Sequence, residues 1–118
     1  LFIYKDNKLR EELEGIHANL LLLFAMFTQY AAIEGLPVEI TSVFEHVEER
    51  QSRTHEEGRA IDISIRGWNE VQIAEVTTLL NTRMVGIAAI SSSDGAPRAV
   101  VVHEIGALGR HFHLQVRP

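Results

Sequence analysis

A chain of 118 residues with 46% hydrophobic and 23% charged side chains fits one domain over residues 1–118 and can bury a core without staples. Its net charge of −5, with no block of Lys or Arg, gives a phosphate backbone nothing to hold, so nucleic acid is not an expected partner. The absence of cysteine excludes disulfide frameworks and thiolate metal sites, and any metal must rest on His and carboxylates.

In chain order, Asp6 to Glu34 reads as one long helix: Asp6 or Asn7 caps it, Glu11, Glu12 and Glu14 suit its first turns, and Gly35 with Pro37 stops it. Its second half is apolar nearly all round, as in a central helix buried across a sheet. The unbroken apolar run from Leu20 to Phe27 falls well short of the about 20 residues that span a bilayer, so no transmembrane segment is expected. "PVEITSVF" is a strand with imperfect alternation, Val38, Ile40 and Ser42 against Glu39, Thr41 and Val43. "EHVEERQSRTHEEGR" is polar and without period, and reads as a long functional loop or a loop with a short helical turn.

"AIDISIR" alternates cleanly, with Ile61, Ile63 and Ile65 on one face and Asp62, Ser64 and Arg66 on the other. "NEVQIAEVTTLLNT" is a second helix, capped by Asn69, with Val71, Ala74, Thr78 and Leu79 at helical spacing. "VGIAAIS" reads as a strand and "SSSDGAP" as a turn, while "RAVVVHE" and "HFHLQVR" form a hairpin through "IGALGR". Two helices and four or five mostly antiparallel strands make an α+β domain with the helices packed on one face of a small sheet.

Of the six histidines, His17 in the first helix and His46 in the polar loop have no partner in sequence and read as structural or surface residues. His55 differs, because Gly58 supplies a turn that can bring it toward Asp62 at the start of the next strand. His111 and His113, at i and i+2, point both rings to one sheet face, away from Phe112 and Leu114. Taken alone, "HFH" fits an exposed polar sheet face as well as a metal site. A catalytic zinc site takes three protein ligands, commonly His and carboxylate, and leaves a fourth position to water.

"THEEGRAIDIS" followed by "HFHLQV" resembles the zinc peptidases of the D-Ala-D-Ala carboxypeptidase, murein endopeptidase and Hedgehog superfamily. That family carries Ser-x-His, then a Gly, a small residue and an Asp, and later a His-x-His or Glu-x-x-His strand. The resemblance runs from about Glu39 to Val116 and includes Gly58, Arg59 and Ala60 between the first two ligands. It implies the family's small-sheet fold and a zinc ion held by His55, Asp62 and His113. It further implies hydrolysis of a peptide bond in the peptidoglycan stem or cross-link, as carboxypeptidase or endopeptidase, in a cell-envelope or phage-associated setting.

Three positions depart from the family pattern. Glu45 stands where an Arg often follows the strand, and Arg53 replaces the Ser two residues before the first His, where it is expected to contact substrate. Arg110 occupies the place of the Glu that many members use as general base. Glu104 becomes the leading candidate for that role, because the hairpin is expected to set it across from His111; His111 is second and His103 third. The alternative to an enzyme is a zinc-containing wall-binding or virion module with little or no turnover.

Overall fold

In the computed structural model, which describes residues 2–13, 15–43, 57–92, 94–104 and 109–118, the chain begins with a strand, β1 (Phe2–Tyr4), that three residues of sequence do not announce. It is followed by α1 (Lys8–Leu13), α2 (Ala18–Glu34), β2 (Val38–Ser42), β3 (Ala60–Ser64) and α3 (Glu70–Arg83). A 3-10 turn (Val85–Ile87) leads to β4 (Ala89–Ile90), β5 (Pro97–Arg98), β6 (Val100–Glu104) and β7 (Arg110–Gln115). The main sheet has the order β1-β2-β3-β7-β6. β1 runs parallel to β2 and the other neighbours are antiparallel, so the α+β fold has a mixed sheet. β4 and β5 form a separate two-stranded ribbon, and "VGIAAIS", expected as a strand, contributes mainly the 3-10 turn and β4.

The single helix expected over Asp6 to Glu34 is two helices. His17, with φ −58° and ψ 139°, leaves the helical path and caps α2: its Nδ1 accepts the Asn19 N–H at 3.1 Å. Its own N–H donates to the Gly58 carbonyl at 2.9 Å, an outlet a continuous helix would deny it. Gly15 lowers the cost of the break, since glycine disfavours a helix interior by about 1 kcal/mol. Gly58 sits at φ 68°, the turn expected of it.

α2 is buried on one stripe rather than all round. Leu20, Leu23, Phe24, Phe27 and Ala31 face inward, while Leu21, Leu22 and Ile33 are 54%, 52% and 76% exposed. α3 starts where the sequence places it, with Asn69 and Gln72 bonded reciprocally at 2.8 and 3.0 Å. It turns Ile73, Val76 and Leu80 inward, not the stripe through Val71, which is 72% exposed. Both helices share one core with Ile61, Ile63, Phe112 and Leu114 of the sheet. Phe112 sits at its centre, edge-on to Phe27 at 5.0 Å and to Trp68 at 4.8 Å.

The imperfect alternation of "PVEITSVF" has a structural cause. Ile40 pairs with Ile63, but Ser42 pairs with Asp62, so β2 spends one extra residue against β3. That bulge keeps Ile40 and Val43 in the core and turns Ser42 to the same side as Asp62. Among the described residues, no helix is long and apolar enough to cross a membrane.

Candidate metal centre

The register of the central strands decides which side chains meet. Asp62 lies opposite His113, Ser64 opposite His111, and His103 opposite His111. Alternate residues share a face, so these side chains, with Gln115 and Ser42, occupy the side of the sheet away from the helices. They are not a solvated face. Asp62, His113, Gln115, Ser42 and His111 are all at most 9% exposed. Buried polar groups at this density require partners, since each one left without costs about 1–3 kcal/mol.

Asp62 is the hub. Its Oδ1 stands 2.9 Å from His113 Nδ1, and its Oδ2 stands 3.7 Å from His111 Nε2. The other nitrogen of His113, Nε2, is 3.1 Å from Gln115 Oε1. His111 Nδ1 lies 3.4 Å from the Gly109 carbonyl, whereas His111 Nε2 is buried without a hydrogen-bond partner among the described residues. The half-buried His103 ring packs against both, 4.9 Å from His113 and 5.8 Å from His111 between centroids.

Two of the three expected ligands, Asp62 and His113, thus come together. His55, the third, lies outside the described residues, as do Arg53 and His46. Among the described residues alone, no group of three His, Asp or Glu side chains is set to hold a metal ion. The donor pair fits zinc. Two atoms each about 2.0–2.2 Å from a tetrahedral centre are about 3.3–3.6 Å apart, so the Asp62 and His113 donors need only a slight outward rotation from their present spacing.

Glu104 is not placed as the sequence suggested. It pairs with Arg110, one residue out of step with the expected partner, and its side chain is exposed on the opposite side of the sheet from His111. Arg110, expected in the loop, is the first residue of β7, so the connection is one residue shorter on the β7 side and His103 is the residue opposite His111. Arg110 is occupied elsewhere: its Nη2 is 3.2 Å from Glu70 Oε2, and this carboxylate raises its pKa further.

Gln115 was missed by reading motifs, although it continues the alternation of His111 and His113 by one more step. The rest of "GRA" is structural. Arg59 bonds Glu57 at 2.7 Å and the Val116 carbonyl at 2.7 Å, while its own carbonyl accepts the Val116 N–H at 2.9 Å. Arg59 thereby pins the end of β7 against the start of β3. Comparison with known protein families, with curated proteins and with solved structures finds no match.

Proposed function

We propose that this chain is a zinc-dependent peptidase that hydrolyses a peptide bond in the stem or cross-link of bacterial peptidoglycan, with His55, Asp62 and His113 as the metal ligands. The observation that supports it most is the burial of Asp62, His111 and His113 side by side on adjacent strands. An aspartate between two histidines, withdrawn from water, is a costly arrangement of the kind that functional sites concentrate. The substrate class comes from the resemblance of "THEEGRAIDIS" and "HFHLQV" to the wall-cutting zinc peptidases.

When bound, zinc would polarise the scissile carbonyl and lower the pKa of a water molecule to near 7. The residues of the chain would do the rest. His111 is the favoured general base, because its Nε2 is buried beside Asp62 and has no hydrogen-bond partner among the described residues. The Gly109 carbonyl, 3.4 Å from Nδ1, can take that nitrogen's hydrogen and leave Nε2 with the lone pair. In this role Nε2 accepts a proton from water and returns it to the leaving amine. Asp62, through Oδ2, stabilises the imidazolium formed in between.

A zinc-holding wall-binding or virion module is the second reading, favoured by one observation. The position where relatives of this motif keep a general-base Glu is Arg110, tied to Glu70. Digestion of purified peptidoglycan separates the two. Release of new amino termini by zinc-loaded protein, lost on chelation and restored by zinc, supports the peptidase. Folded, zinc-loaded protein that binds several wall types and cuts none of them supports the module.

A further inference from the structure

Gln115 is 4% exposed, and both of its ends are held by successive carbonyls. Its backbone N–H donates to Ala99 O at 2.9 Å and its side-chain Nε2 donates to Arg98 O at 2.9 Å. A carbonyl can only accept, so the amide has one orientation, with its NH2 toward Arg98 and its Oε1 toward His113 Nε2 at 3.1 Å. Oε1 is also only an acceptor. His113 Nε2 must therefore carry the hydrogen.

A neutral imidazole with its hydrogen on Nε2 has its lone pair on Nδ1, and in His113 that atom stands 2.9 Å from Asp62 Oδ1. A lone pair and a carboxylate oxygen at that distance repel each other unless a cation lies between them, either a proton, which makes the ring an imidazolium, or a metal ion that takes the proton's place. The ribbon of β4 and β5 is what aims Arg98 O: Ala89 pairs with Arg98 and Ile90 with Pro97, and Asp94 Oδ2 holds the Arg98 side chain at 3.2 Å. This small ribbon, outside the main sheet, acquires a purpose at the site.

We infer that Gln115, oriented by the Arg98 carbonyl, is a positioning residue that fixes His113 as the Nε2–H tautomer and commits His113 Nδ1 to a metal ion shared with Asp62. The inference rests on the zinc reading proposed above. Partners of this kind orient a metal-bound imidazole, and their loss weakens metal binding by about 10–100-fold.

The test uses the full chain labelled with 15N-histidine, as wild type, Gln115→Met and Gln115→Glu. Zinc affinity is measured by competition with a chelating dye, and the ring nitrogens are assigned from long-range 1H–15N spectra of the zinc-loaded proteins. Wild type is expected to show hydrogen on His113 Nε2 and metal on Nδ1. Gln115→Met, which cannot accept that hydrogen, is expected to bind zinc about 10–100-fold more weakly. Gln115→Glu still accepts it, and is expected to keep the wild-type ring assignment with affinity close to wild type. Metal on Nε2 in wild type, wild-type affinity in folded Gln115→Met, or a changed assignment in Gln115→Glu would each overturn the inference while leaving the zinc site standing. A wild-type protein that takes up no zinc would remove both.

Discussion

Nδ1 of His113 and Oδ1 of Asp62 stand 2.9 Å apart although 51 residues separate them in sequence. Their approach is set by strand register, since the two are direct partners across β3 and β7. Groups carried on paired strands are held more tightly than groups on loops, which suits ligands that must keep a fixed geometry. Asp62→Asn preserves the shape and removes the charge. Elemental analysis of protein purified without a histidine tag is expected to show bound zinc falling from stoichiometric to trace, with the fold retained by circular dichroism.

The placement of His111 and Glu104 separates their roles in the proposed reaction. His111→Ala is expected to lower peptidoglycan cleavage by about 10²–10⁴-fold with zinc still bound, the range for loss of a general base. Glu104→Ala, on the exposed side of the sheet, is expected to leave the rate near wild type. Rates of amino-terminus release at saturating zinc provide the comparison. Equal losses in the two variants would remove His111 from the role.

Phe112 lies between His111 and His113 but points the other way, into Phe27 and Trp68. Phe112→Ala is expected to cost about 3–5 kcal/mol by the loss of a fully buried ring. Urea denaturation of the metal-free protein would read this directly. Zinc affinity should fall as well, since the strand carrying both histidines loses its anchor.

Asn81 on α3 acts on the outer edge of β6 as a neighbouring strand would: its Oδ1 accepts the Val100 N–H at 2.8 Å and its Nδ2 donates to the Val100 carbonyl at 2.9 Å. Val100 is 1% exposed, so water does not readily replace the amide. Asn81→Ala is expected to destabilise the fold by about 1–3 kcal/mol, measured by the same denaturation. Hydrogen exchange at the Val100 amide should accelerate alongside.

Tyr30 makes stability depend on alkaline pH. Burial, then its 2.9 Å hydrogen bond to Glu75, then the charges of Glu75 and Glu34, raise its pKa above the ordinary tyrosine value. The unfolded chain ionises near about pH 10 while the folded one does not, so folded protein holds more protons there and stability falls as pH rises. The contribution is complete below that pH. Tyr30→Phe should flatten the decline, as read from denaturation midpoints between neutral and strongly alkaline pH.

What the sequence made legible were the features with strong local causes. The alternation of Ile61, Ile63 and Ile65 located β3 and faced Asp62 correctly, and the Asn69 cap located α3. His111 and His113 were rightly put on one face, and their burial answers the expectation that left an exposed polar sheet open. What failed depended on contacts distant in the chain. The break at His17 needs the Gly58 carbonyl, which no helical periodicity reveals. β1 is too short to show a period and exists by pairing with β2. The inward face of α3 was misread because Val71, Ala74 and Thr78 match helical spacing as well as Ile73, Val76 and Leu80 do. Glu104 was misplaced through a one-residue error in register, which in a strand reverses the face of every side chain.

The sheet order has a consequence for how the protein comes into being. β7 lies between β3 and β6, so the ribosome delivers the strand that joins them after both of its neighbours. Until it is inserted, Asp62 has no His113 to face, and β6 has no hydrogen-bonded route to the rest of the sheet. Such late, long-range pairing is the slow kind, because loop closure must precede any reward from contact. The ligand pair therefore serves as a completion mark: a chain that can hold metal through Asp62 and His113 is one whose central sheet has already closed.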